Sequence, residues 1–362
     1  LLEREPGGPA MALGMADLAA VGSLADVVPI IGENRGIVRL GMLSLATSPR
    51  PAFAALLQTA GVAPERLDME TIGFAIAPRL NAMSRMGDAA SAARLLLTDD
   101  AHEATELAAE LQAANLARRE LTATSLAEAR IAAAAQDGAP AIFVLGDWPV
   151  GIIGLVAGRL ADEMARPAIV VTRAADPWRG SARSPAGFDL AAAFATCGES
   201  FERHGGHAAA AGFSVRPERY DAVRDHLLGL AAQLPPLDPR PALRIDLVSV
   251  SEMVDYTLFR ELARLDGTGD PPPLVGITGL VIARVRAASG GHVQITLRRG
   301  REVLDGIAFG RGEDLIPVLH EGDAVDVVAR LASRTYGGFE SLQLEIRDVA
   351  SSGTLPVAAM AA

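Results

Sequence analysis

A chain of 362 residues is too long for one ordinary core and long enough for two or three domains. Half of its residues are hydrophobic and 21% are charged, which excludes a disordered chain, and no run approaches the roughly 20 apolar residues of a membrane span. The net charge is −11, split −6, −1 and −4 over residues 1–139, 140–232 and 233–362, which excludes a broad nucleic-acid-coating surface and confines any polyanion contact to a local groove.

The opening residues, Leu1 to Pro6, have no basic region ahead of an apolar run, so no signal peptide is expected there. A start without Met reads as a piece of a longer chain. Residues 10–98 predict short helices and turns, punctuated by Pro29, Pro49, Pro51, Gly61 and Pro64. Asp100 with Glu103 resembles a capping box, and Leu107, Leu111 and Leu121 with Ala-rich spacing carry a helix to the Asp137-Gly138 stop. Such a helix would be about 54 Å long, the dimension of a strut between domains.

An alternating block follows: a strand over Ala141–Leu145, a helix over Ile152–Met164, a strand over Ala168–Val171 and a second helix over 188–203. The pattern predicts an α/β domain with a partly parallel sheet. The one cysteine, Cys197, leaves no intramolecular disulfide and fits a reducing cytoplasm. The Pro-rich run 234–241 reads as a linker. Beyond it, short alternating runs at Gly279–Arg286, His292–Leu297, Val303–Phe309, Ala324–Leu331 and Leu342–Ile346 predict a small closed barrel, and the tail from Ser351 is expected to be loose.

Four segments carry candidate chemistry. In Ser23–Pro29, Asp26 interrupts an apolar run; a buried carboxylate needs a helix cap, a salt bridge or a metal ion. Arg79, Asn81 and Arg85 lie within seven residues beside Pro78, which suits a phosphate clamp on a rigid loop or a surface pair with Asp88. In Arg179–Ser184, strand alternation puts Ser181 and Arg183 on one face, as either a compact anion site or an ordinary edge strand. In His204–Gly212, Gly205 and Gly206 let backbone N–H groups approach a ligand, or simply make a turn, and only small residues follow His207. Every cation in the chain is Arg, a planar fork able to hold phosphate through two hydrogen bonds.

These segments, in this order, resemble the RecJ branch of the DHH phosphoesterase family. The resemblance rests on Ser23–Pro29, Ala77–Arg85, Gly180–Ser184 and Gly205–Gly212. The Gly146–Gly154 turn and the Gly267–Pro273 stretch extend it. It implies an α/β protein made of a C-terminal remnant of a DHH domain (1–98), a connecting helix (99–138), a DHH-associated substrate-binding domain (139–232), an all-β OB-fold barrel (233–350) and a tail (351–362). Ala182 stands where the family has Gly, and its methyl is expected to crowd a phosphate.

The implied activity is single-stranded-DNA-specific 5′–3′ exonuclease action in DNA repair and recombination, with two divalent ions, Mn2+ or Mg2+, activating water. Asp26 would be a metal ligand, and His207 would stabilise charge on the phosphate. Arg79, Asn81 and Arg85 would face the scissile or a neighbouring phosphate; Ser181, Arg183, Ser184, Gly205 and Gly206 would bind the 5′ end. Arg284, Arg286 and Arg298 would grip the trailing strand on the barrel, in a stretch free of acidic residues between Asp270 and Glu302. The resemblance further implies a single-stranded-DNA-binding protein and a helicase as partners. The family's Asp-x-Asp and Asp-His-His metal motifs occur nowhere in this sequence, so the chain alone is expected to be inactive. A phosphoesterase for short oligonucleotides or cyclic dinucleotides, and a non-catalytic single-strand binder, are the alternatives.

Overall fold

The computed structural model describes residues 8–47, 49–63, 67–87, 89–185, 187–233, 243–265, 272–336 and 339–355. The chain divides into two compact units, residues 1–28 with 36–241 and residues 29–35 with 242–362.

The first unit begins with helices α1 (Gly8–Leu13), α2 (Ala16–Ala25), α3 (Glu33–Thr47), α4 (Pro51–Ala60), α5 (Met69–Thr71), α6 (Ala77–Met86) and α7 (Ala90–Leu97). Phe53, Leu56, Ile72, Ile76 and Leu95 close their shared core. The Ala77–Arg85 segment is helix rather than the expected loop. A π-helical turn, Ile72–Ile76, leads into α6, and Pro78 falls in the first turn, where a missing N–H costs little.

Helix α8 (Ala101–Ala134) has 34 residues, about 50 Å. Asp100 caps it by accepting from the His102 and Glu103 N–H groups. Glu103 does not close a capping box. It takes the Thr98 hydroxyl at 2.5 Å and the Arg94 guanidinium at 2.6 Å, while Thr98 accepts from the Asp100 N–H. Ala104, Leu107, Ala108 and Leu111 enter the helical core. Leu126, Ala129 and Ala133 enter the core of the next domain.

That domain contains β1 (Ile142–Gly146), α9 (Val150–Met164), β2 (Ala168–Thr172), β3 (Trp178–Arg183), α10 (Leu190–Thr196), β4 (Arg203–His207), β5 (Ala210–Val215) and α11 (Pro217–Ala231). The sheet order is β1-β2-β3-β5-β4, with β1–β2 parallel and the rest antiparallel. Strand alternation sends Ile142, Val144, Ala168 and Val170 toward α8 and α9, and Phe143, Ile169, Val171 and Ala182 toward the α10–α11 layer. The helix expected over 188–203 is shorter: it stops at Thr196, and a 3-10 turn over Gly198–Ser200 follows. Strand β3 is interior, not an edge, and the expected Gly205-Gly206 turn is edge strand β4.

The second unit holds β6 (Leu247–Val250), α12 (Tyr256–Ala263), β7 (Val275–Ala288), β8 (His292–Arg299), β9 (Glu302–Ala308), α13 (Gly312–Leu315), β10 (Ala324–Tyr336) and β11 (Phe339–Ser351). Strands β7-β8-β9-β11-β10 follow one another and β10 pairs back onto β7, closing a five-stranded barrel around Ile277, Ile282, Ile295, Leu297, Val327 and Leu344. The tail is tied down as far as it is described: buried Asp326 accepts from the Gly353 and Leu355 N–H groups, both at 2.9 Å. The linker 234–241 and residues 267–271 lie outside the described residues. Among the described residues no helix is long and apolar enough to cross a membrane.

Candidate functional site

A cavity of about 520 Å³ opens where α6, the start of α9 and the β3-β5-β4 part of the sheet meet. Its lining includes Arg85, Arg179, Arg183 and Arg203 and no Asp or Glu. The strand register explains the wall. Ser181 faces Gly212, which faces Gly205; Arg183 faces Ala210, which faces His207. These residues share one sheet face, and the glycines and Ala210 leave its middle bare. Arg183 Nη1 donates to Ser181 Oγ at 3.3 Å and to the Ala182 carbonyl at 2.9 Å.

Helix α9 brings its N-terminus to this wall. Val150, Gly151, Ile153 and Gly154 line the cavity, so the unpaired N–H groups and positive end of the helix dipole are close at hand. Two glycines make the approach possible. A side-chain carbon at Gly151 would overlap the Arg85 carbonyl, and one at Gly154 would lie 3.1 Å from Ser181 Oγ and 3.3 Å from Arg183 Nη2. Arg85 Nη1 donates to the Gly151 carbonyl at 3.3 Å, joining α6 to α9. Burial, and after it the charge of Arg85, holds the Arg183 guanidinium below its ordinary pKa. Such a donor set can hold an anion with several oxygens.

The expected site residues distribute unevenly about this cavity. Arg85, Ser181 and Arg183 line it, and Gly205 and His207 stand on the same sheet face. Gly206 turns to the opposite face, where a side chain would strike Ala210 and Ala211. Ser184 is spent on the chain itself: its N–H donates to the Ala209 carbonyl and its hydroxyl to the Pro185 carbonyl. Ala182 is fully buried in the α10–α11 core, so its methyl crowds no ligand, contrary to expectation. Arg79 is half-buried in α6, with Nη1 on the Ala75 carbonyl at 2.5 Å, and Asn81 is exposed. Asp88, the proposed surface partner, lies outside the described residues. Arg179, Arg203 and the start of α9 were not anticipated. Period-two alternation from Ser181 would have added Arg179.

Asp26 is not buried. It is the exposed C-cap of α2, followed by Val27 at φ 55, 85% exposed. The Val28 N–H reaches the Ser23 carbonyl and the Val27 N–H the Leu24 carbonyl, a Schellman turn with valine where glycine is usual. An anion at a helix C-terminus and a β-branched residue at positive φ are both unfavourable. Among the described residues, no group of three or more His, Cys, Asp or Glu side chains is placed to hold a metal ion. The described residues therefore do not make a two-metal centre.

On the barrel, Arg284 and Arg286 pair with Thr296 and Gln294, while Arg298 pairs with Val281. The inward Val293, Ile295 and Leu297 alternate with these partners, so the three arginines share the outer face with Gln294, Thr296, Val303 and Asp305. A bulge between Ile282 and Arg284 shifts the phase of β7 to achieve this. Arg299 points elsewhere, donating to the Ser251 and Val254 carbonyls. Phe309 is 50% exposed and meets His292 edge-on at 5.1 Å. Two further aromatics that could stack on bases, Tyr336 and Phe339, have side chains outside the described residues.

Known proteins bring these regions together. Residues 138–233 match the family model of the DHHA1 domain, and residues 245–348 that of the RecJ OB domain. The chain is 33% identical to the single-stranded-DNA-specific exonuclease RecJ of Bacillus subtilis over 93% of its length and 44% of that protein. It is also 33% identical to RecJ of Thermus thermophilus over 93% of its length and 48% of that protein. The crystal structure of Thermus thermophilus RecJ in complex with Mn2+ superposes with a TM-score of 0.81 and 30% identity, over 95% of this chain and 50% of that one. The chain thus spans about half the length of the relatives it matches. The chain carries a DHHA1 domain and a RecJ OB domain and is similar, over nearly its whole length, to the part of RecJ proteins that it spans.

Proposed function

We propose that this chain is the substrate-gripping part of a single-stranded-DNA-specific 5′–3′ exonuclease of DNA repair and recombination, and that the Ser181–Arg183 cavity holds the 5′-terminal phosphate. The observation that carries the reading is a cavity lined by four arginines, no carboxylate and a helix N-terminus, with a hydroxyl and a guanidinium set side by side. Doubly charged terminal phosphate with three free oxygens fits that donor set better than a diester does. His207, on the same face, would steady charge on the next phosphate, and Gly205 would give it room. The outer barrel face with Arg284, Arg286 and Arg298 would follow the trailing strand. That barrel favours a long single strand over short oligonucleotides or cyclic dinucleotides. A single-stranded-DNA-binding protein and a helicase would supply such strands, in the cytoplasm.

Hydrolysis in this reading needs two divalent ions, Mn2+ or Mg2+. Asp26 would be one ligand among others that this sequence does not contain, and the chain alone binds without cutting. Metal-dependent release of mononucleotides by the pure chain, abolished by Asp26→Ala, would contradict this.

The grip is tested without metal. The full chain is titrated with 5′-phosphorylated and 5′-hydroxyl oligothymidylate, as wild type and Arg183→Ala. The wild type should prefer the phosphorylated strand, and Arg183→Ala should erase about 1.5–3 kcal/mol of that preference. Equal affinity of the wild type for both ends would refute the reading.

A further inference from the structure

Helix α8 changes character in its middle. Its first part buries Ala104, Leu107, Ala108 and Leu111, and its last part buries Leu126, Ala129 and Ala133, but the buried residues between them are polar, Asn115 and Ser125. Gln112, Asn115, Arg118 and Arg119 fall within about a third of the helix circumference. Helices α6 and α9 both pack on α8.

This stretch is poor in partners. Four buried side-chain N or O atoms among the described residues make no hydrogen bond, and three of them are Arg79 Nε, Gln112 Oε1 and Arg118 Nε. Arg118 Nη2 donates to Asn115 Oδ1 at 2.9 Å, which fixes the guanidinium while leaving Nε unused. Native proteins rarely leave a buried donor unpaired, so each of these atoms calls for an explanation. The electrostatics agree. Burial, then Arg85 and Arg119, lowers the pKa of Arg118; burial, then Arg119, lowers that of Arg79. By contrast Arg50, Arg130, Arg216 and Arg224, each hydrogen-bonded to a carboxylate, are pushed up. The sequence Arg183, Arg85, Arg118, Arg119, Arg79 is thus a row of neighbouring cations for which no carboxylate partner occurs among the described residues.

We propose that Asn115, Arg118 and Arg119 of α8, with Arg79, form a second phosphate subsite, continuous through Arg85 with the terminal-phosphate cavity, that binds internal phosphodiesters of the strand. The connecting helix then reads substrate length as well as setting a distance. The inference rests on the terminal-phosphate reading, and a length series separates the two.

The full chain, metal-free, is titrated with 5′-phosphorylated thymidine mono- and tetranucleotides. Arg118→Gln should weaken the tetranucleotide about tenfold, the scale of one charge-assisted contact, and leave the mononucleotide within about twofold. Its thermal midpoint should change little, because the loss of a buried unpaired donor is set against the loss of the bond to Asn115. Arg119→Ala, at an exposed position where folding is not at stake, should weaken the tetranucleotide about threefold and spare the mononucleotide. Equal losses on both ligands, or no loss on either with a lowered midpoint for Arg118→Gln, would overturn the subsite. Loss of mononucleotide binding only in Arg183→Ala would leave the terminal-phosphate reading standing whatever Arg118 does.

Discussion

The arginines of the DHHA1 cavity and those of the barrel face are the same residue type in opposite settings. Arg183 is drawn out of water, bonded to a serine and a carbonyl, and faces no acid. Arg284, Arg286 and Arg298 stand in solvent on the outer face of the barrel, with Asp305 on the same face. A desolvated cation is expensive to keep and strong when matched, so it suits one fixed group. Solvated cations are cheap and weak singly, so they suit a polymer that contacts several at once. The difference teaches that Arg content alone says little: the first setting suits a single fixed anion, and the second suits a polyanion.

The largest expected effect separates structural from binding arginines within the barrel. Arg299→Ala removes donors to the Ser251 and Val254 carbonyls and should cost about 2–3 kcal/mol of barrel stability in denaturant titrations, with the salt slope of DNA binding unchanged. A flattened slope would place Arg299 on DNA instead. Next, Arg284→Ala with Arg286→Ala should reduce the log–log salt slope for a poly-pyrimidine strand by about 1.4, at about 0.7 per lost phosphate contact. Mononucleotide affinity at the cavity should stay as it was; an unchanged slope would mean that this face does not meet DNA. The smallest effect tests the cavity's fit. Gly154→Ala adds a carbon 3.1 Å from Ser181 Oγ, in a helix that alanine favours. Thermal stability should rise slightly while terminal-phosphate affinity falls about threefold; unchanged affinity would show that Ser181 need not hold its place.

Sequence patterning carried the architecture where periodicity is strong. The length of α8, strands β1 and β2, and the barrel strands all follow from it, and Ser181 with Arg183 follows from alternation on β3. It failed where tertiary contact decides. Asp26 reads as a buried carboxylate because its neighbours are apolar, yet those neighbours end a helix in an exposed turn. Gly205-Gly206 reads as a turn, but pairing with Gly212 and Ala211 holds it in an edge strand. Ala182 reads as an obstruction until the register shows it on the far face. Arg118 and Asn115 pass as ordinary helix residues. Their signal is the polar break between Leu111 and Leu121 in an otherwise apolar spacing, and its meaning depends on which helices pack there.

The most direct measurement is a crystal structure of the chain with thymidine 5′-phosphate. The account predicts the phosphate between Ser181 Oγ, the Arg183 guanidinium and the first N–H groups of α9, with Gly205 and Gly212 beneath the nucleoside. A nucleotide bound on the barrel face or on α6 alone, with the Ser181–Arg183 cavity left to water, would contradict it.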